Sequence, residues 1–172
     1  SAYHFLRKLI NGLRMLRGSA KDLFLPAAGS DEYTHLARRT GYTGKSGLDP
    51  AQELRVDFET KTAAVRSFVE AYIGRDSIPG PPGGNVADLV FSENMPKDLA
   101  SRILSGAGLK NCERALKNID FLKGTGPERT LFAGLAVLAW DLLRETPDPD
   151  MALNNWERFA RSLPSKEDHY RQ

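Results

Sequence analysis

The chain has one cysteine, Cys112, in 172 residues. A disulfide within the chain is therefore excluded, and a reducing, cytoplasmic location is expected. Cys112 has no C-x-x-C partner and reads as a helix residue rather than a nucleophile. The three histidines, His4, His35 and His169, stand far apart, and none has a metal-ligand spacing. No apolar run is long enough to span a bilayer. The longest, LFAGLAVLAWDLL, is interrupted by Asp141 and reads as a buried core helix. Strict period-2 alternation is almost absent, which removes most strand candidates. The net charge of +2 gives no global argument for binding a polyanion, so nucleic acid is not an expected partner. No secretory leader is visible. The opening SAYHFLRKL, without methionine, and a last repeat that stops at Gln172 lead to the expectation of a piece of a longer protein.

Convergent titratable groups are also missing, so no catalytic, cofactor-binding or metal-binding residue is predicted. Asp148 and Asp150 form a D-x-D of the kind that can hold magnesium in nucleotidyltransferases. There the pair lies on a strand shortly after a Gly-Ser turn; here it opens a helix, where capping and dipole compensation explain both carboxylates. Gly29-Ser30 is followed by no D-x-D or D-x-E. The stretch TGYTGKS, residues 40–46, ends like a phosphate-binding loop. That loop needs a glycine five residues before Gly44, where Arg39 stands, and a buried strand before it. The stretch is expected to be a helix stop at Gly41 and a polar loop.

What is present is helical periodicity, and the predicted fold class is all-α. A first helix spans about Ala2 to Arg17, with Leu6, Leu9, Leu13 and Leu16 as its apolar stripe. A second spans about Asp31 to Thr40, capped by Ser30 and stopped at Gly41. A third, about Pro50 to Ile73, begins at the Asp49 cap with Pro50 at N1 and Gln52 placed for a capping box. Its helical spacing runs Leu54, Phe58, Lys61, Val65, Phe68, Tyr72. Short connections make these three an antiparallel bundle or part of one. The Pro/Gly-rich SIPGPPGGN, from Ser77, reads as a hinge. The expected organisation is a bundle over 1–75, a linker over 76–95 and a second group of helix pairs over 96–172. In the latter, helices are expected at Pro96–Leu104, Lys110–Lys123, Pro127–Arg144, Pro149–Leu163 and from Ser165. The helix from Pro127 is apolar around most of its circumference and should be the buried centre of its half.

ERALKNIDFLKGTGP, from Glu113, lines up with DMALNNWERFARSLP, from Asp150. The match is an imperfect helix-pair repeat, or chance likeness between two amphipathic helices. On the first helix, Arg7, Arg14 and Arg17, with Lys21 beyond, share a face beside the apolar stripe, and Tyr3 sits beside them. This is the candidate interface. It reads as a solvated face, or as a surface that meets nucleotide phosphates or an acidic partner.

Tyr3, Phe5, Leu6, Arg7, then Leu13, Arg14, Met15, Leu16, then Leu25-Pro26, then Leu36, Ala37, Arg38, Gly41, Tyr42, and Val65-Arg66 form a spaced pattern. It resembles the helical domain that follows the catalytic domain in bacterial glutamine synthetase adenylyltransferases and PII uridylyltransferases, over about Tyr3 to Tyr72. GLKNCERALKNIDFL and DPDMALNNWERFARSLP resemble, more weakly, helical segments that precede a catalytic domain in the adenylyltransferases. The resemblance implies a parent that uses magnesium and ATP or UTP to modify a protein in nitrogen regulation. The implied partners are the adjacent catalytic domain of the same parent chain, and glutamine synthetase or a PII-type regulator. The expectation is a non-catalytic accessory and regulatory segment. The alternative, from the repeat and the basic face, is a free-standing helical protein-interaction module.

Overall fold

A computed structural model of the chain describes residues 1–19, 24–44, 47–73 and 84–171. Among these residues the chain is all-helical. Its helices are α1 (Ala2–Arg17), α2 (Asp31–Arg39), α3 (Pro50–Ile73), α4 (Val86–Phe91), α5 (Lys97–Gly106), α6 (Cys112–Lys123), α7 (Pro127–Glu145), α8 (Pro149–Ser162) and α9 (Lys166–Arg171). The chain divides into two compact units, Ser1–Lys61 and Thr62–Gln172, with the division falling inside α3.

Unit 1 is built on the leucine stripe of α1. Leu9 and Leu13 pack with Tyr33, Leu36 and Ala37 of α2 and Leu54 of α3, and Phe5, Leu25, Tyr42, Ala51 and Phe58 close around them. The two helices α1 and α2 meet at Gly12. A methyl group there would stand 3.0 Å from Leu36 Cδ1 and 3.1 Å from Thr40 Cγ2, so only a hydrogen fits without movement. Ser30 caps α2 by accepting from the Tyr33 N–H at 3.2 Å. Gly41 ends it with φ +92°. The Tyr42 N–H reaches back to the Ala37 carbonyl and the Gly41 N–H to the Arg38 carbonyl, both at 3.0 Å. That pair of bonds is a Schellman stop, and it explains why a glycine stands between the helix and Tyr42. Asp49 opens α3 by accepting from the Ala51 and Gln52 N–H groups, and the Gln52 side chain accepts from the Asp49 N–H at 3.2 Å.

In unit 2, α7 packs against α4, α6, α8 and α9. Phe132, Ala133, Ala136 and Val137 are buried along it, as expected for the central helix of this half. Phe132 meets the rings of Trp156 and Tyr170 at centroid distances of 5.3 and 5.8 Å. Leu142 is the departure: it is 66% exposed.

Residues 76–83 of the expected linker lie outside the described residues, but 84–95 hold α4, whose residues Val86 to Val90 are all buried. Asn85 accepts from the Asp88 N–H, and the Asp88 carboxylate accepts from the Asn85 N–H, a reciprocal capping box. Arg66 of α3 donates to the same carboxylate from Nε to Oδ1 and from Nη2 to Oδ2, both at 2.8 Å. Ser67 donates to the Phe91 carbonyl, and Ser92 donates to Glu70. The second half of α3 therefore packs on α4 through its polar side. This is why the apolar spacing of α3 ends in two different environments. Leu54 is buried, whereas Phe68 is 60% and Tyr72 76% exposed.

The two segments matched as a repeat, α6 and α8, pack on each other and on α7. Their aligned residues do not share environments. Ala115, Asn118 and Ile119 are buried on α6, while Leu153 and Glu157 are buried on α8, so the inward face is displaced by one residue.

Asp88 is the residue on which unit 2 is most easily tested. Its side chain is 9% exposed, and removing one partner of such a pair costs about 3 kcal/mol. Arg66→Ala, which leaves the buried carboxylate without its cation, is expected to lower unfolding free energy by about that amount, and Asp88→Ala, which leaves an Arg66 side chain that is 39% exposed, by less. In denaturant titrations the double variant is expected to lose far less than the sum of the two. Additive losses would show that the pair contributes nothing.

Candidate functional site

The candidate interface lies on α1, whose sequence AYHFLRKLINGLRMLR carries four cations and no carboxylate. The structure treats those cations differently. Arg17 Nε donates to Glu32 of α2 at 2.8 Å, so this arginine is neutralised and tied to the neighbouring helix. Lys8 lies against the C-terminal end of α2, where a methyl on Gly41 would stand 3.1 Å from its Nζ. A cation is favoured there by the helix dipole. Arg7 and Arg14 are exposed and have no ion pair among the described residues. They lie one heptad apart, and Tyr3, 64% exposed, falls within about 40° of both around the helix. Of the three predicted arginines, two thus remain available to a partner, and the third holds α1 to α2. Lys21 lies outside the described residues.

The stretch TGYTGKS is built for structure up to Gly44; Lys45 and Ser46 lie outside the described residues. The Thr40 hydroxyl is buried and donates to the Leu36 and Ala37 carbonyls. Tyr42 Oη donates to Asp57 at 2.5 Å, and the Gly44 N–H donates to Glu53 at 3.0 Å. A phosphate loop needs such an amide free and a positive surround. Here a carboxylate occupies it, and a second carboxylate lies on the same face of α3. Burial, and then the hydrogen bond to the Asp57 carboxylate, push the Tyr42 phenol well above its ordinary range.

The D-x-D aspartates are also committed. Asp148 caps α8 by accepting from the Met151 N–H at 2.9 Å. Asp150 turns away from its own helix and accepts from the Lys110 and Asn111 N–H groups at the start of α6, at 2.9 and 3.1 Å. Arg114 donates to Asn154 beside it at 2.8 Å. These residues line an open cleft of about 520 Å³. Dipole compensation by Asp150 was legible in the sequence, but its target, the neighbouring helix, was not. The separate first-turn position of Asp150 gives no clue to which N-terminus it serves.

His4 is hydrogen-bonded to Ser1, and His169 lies edge-on to Phe159. Among the described residues, no group of three His, Cys, Asp or Glu side chains is placed to hold a metal ion. No helix among them is long and apolar enough to cross a membrane. No family model matches the chain, and neither a curated protein nor a solved structure is similar to it.

Tyr33 reports on the packing under this face. Burial, and then the Glu59 carboxylate, push its phenol up to about 12, with Arg55 opposing. An unfolded tyrosine ionises near pH 10. The stabilising difference is therefore complete below about pH 10 and is lost as pH rises through about 12. Thermal unfolding is expected to weaken across that window by on the order of 2 kcal/mol per such tyrosine. Tyr33→Phe should remove one such contribution and leave those of Tyr42 and Tyr170, and an unchanged alkaline profile in that variant would contradict the assignment.

Proposed function

We propose that the chain is a non-catalytic helical accessory and regulatory segment of a nucleotidyltransferase that adenylylates or uridylylates a protein in nitrogen regulation. The observation that carries this reading is the spaced pattern from Tyr3 to Arg66 and the use the fold makes of it. Leu13, Leu36 and Ala37 are core residues, Gly41 supplies a helix stop, and Tyr42 and Arg66 each hold a carboxylate on another segment. Two polar members of the pattern, Tyr42 and Arg66, therefore do scaffolding work, as a buttress requires, while Arg7 and Arg14 stay exposed. In this reading an antiparallel bundle is followed, across a Pro/Gly-rich hinge, by a second group of helix pairs. Arg7 and Arg14 face the adjacent catalytic domain of the parent. Magnesium and ATP or UTP belong to that domain, and glutamine synthetase or a PII-type regulator is the protein modified. The committed carboxylates at Asp148 and Asp150 support a segment without its own transfer chemistry.

Two measurements test this. The chain, incubated with magnesium, α-phosphate-labelled ATP or UTP and either protein substrate, is expected to transfer no label. Turnover that survives repurification would overturn the reading. Sequencing the coding region next to Ser1 is expected to give a Gly-Ser turn followed by Asp-x-Asp, and a neighbour without that motif would overturn it as well.

A further inference from the structure

We propose that α1 docks an acidic amphipathic helix that carries carboxylates at heptad spacing. The inference rests on reading the Arg7/Arg14 face as a docking surface, and names the chemistry of what it docks.

Two parallel lines run along the exposed side of α1. Arg7 and Arg14 form one, separated by seven residues, or about 10.5 Å of helix rise. Tyr3 and Ile10 form the other, also seven residues apart and about 60° or less from the cationic line. Tyr3 is largely exposed and Ile10 half-buried. A cationic line beside an apolar line, both repeating every seven residues, is the arrangement by which one helix lies alongside another. The third residue of the apolar line would be Arg17, whose guanidinium is paired with Glu32 of α2.

Charge complementarity selects the occupant. The helix contains no carboxylate, Lys8 lies against the end of α2 and Arg17 pairs with Glu32, and Arg7 and Arg14 have no acid partner among the described residues. Each presents a planar set of donors suited to a carboxylate. Their separation is fixed by a helix whose opposite side is anchored in the core by Leu9 and Leu13. A partner helix with Glu or Asp at i and i+7, and an apolar residue beside each, matches both lines. A triphosphate matches poorly, because it would have to bridge two cations two turns apart on a convex surface.

The test uses the full chain and two labelled 21-residue helical peptides of equal composition. One repeats Leu and Glu every seven residues; in the other the glutamates are moved to five-residue spacing. Fluorescence anisotropy is expected to give at least tenfold tighter binding of the heptad peptide. Arg7→Gln with Arg14→Gln should remove that preference while circular dichroism stays unchanged, and Arg7→Lys with Arg14→Lys should restore part of it. Equal binding of the two peptides, no binding of either, or binding insensitive to the glutamine variant would overturn the proposal. So would tighter, arginine-dependent binding of ATP than of the heptad peptide. These outcomes leave the parent's catalytic motif and the absence of transferase turnover untouched, so the two readings fail separately.

Discussion

The interaction on which unit 2 depends is the one made by the Asp88 carboxylate. Three N–H donors converge on it: two from the Arg66 guanidinium and one from the Asn85 backbone. A six-residue helix has almost no intrinsic stability, because the cost of its first turn is spread over too few hydrogen bonds. Asp88 offsets that cost twice, by closing the cap of α4 and by fastening the helix to α3. Once fixed, α4 offers Val86, Ala87, Leu89 and Val90 for burial, and α7 packs against it. The carboxylate itself tolerates burial because both its oxygens accept hydrogen bonds and its charge is paired with Arg66. Without Arg66 the same burial would be strongly unfavourable.

The same device recurs at the ends of α6, where a helix leaves amides and carbonyls unpaired. At its start, Asp150 of α8 takes the Lys110 and Asn111 amides. At its end, Lys166 Nζ donates to the Phe121 carbonyl and Tyr170 Oη to the Leu122 carbonyl, both at 2.9 Å. The signs agree with the helix dipole, an anion at the N-terminus and a cation at the C-terminus. Lys166 and Arg161 also lie over the Phe121 ring, at 4.6 and 4.2 Å from its centroid. The short α9 is thereby held by directional contacts as well as by burial of Tyr170, whose phenol burial pushes up to about 12. Beside the local caps at Asn85, Asn111 and Asp148, the ends of α6 are thus finished by side chains from other helices, which ties α6 to α8 and α9.

That explains what was legible beforehand. Helices with their own caps were readable: α1 and α3 occupy the expected spans, and Ser30, Asp49 and Asp148 cap as their residue types predict. The helix α4 was missed because its signal is non-local. Its Asn85–Asp88 box is a short-side-chain variant, it follows a run of prolines and glycines, and its stability comes from Arg66, twenty-two residues away. The helical spacing of α3 from Leu54 to Tyr72, with Lys61 within it, does not tell which of its apolar residues are buried. The polar trio Arg66, Ser67 and Glu70 on its other side was the signal, since three polar residues within two turns can pack only if partners are waiting. On α1 the sequence revealed the cationic face but not its division, because Glu32 lies on another helix and selects Arg17 by geometry.

That division matters for function. A face of three arginines would act as a diffuse positive patch, with little to distinguish one anion from another. With Arg17 neutralised, two guanidiniums remain at a fixed separation beside an aromatic side chain, and position as well as charge can be recognised. The rigidity comes from below: Gly12 lets α2 approach closely, and Leu9 and Leu13 anchor the helix. In the proposed docking, partners are discriminated by whether their carboxylates fall on the same interval, since a mismatch leaves one arginine without an acid. The stretch that most resembles a nucleotide site contributes to this only as scaffold. Gly41 ends α2 beside Lys8, and Tyr42 and Gly44 bond to Asp57 and Glu53 of α3, so the described residues of that stretch hold together the helices on which α1 rests.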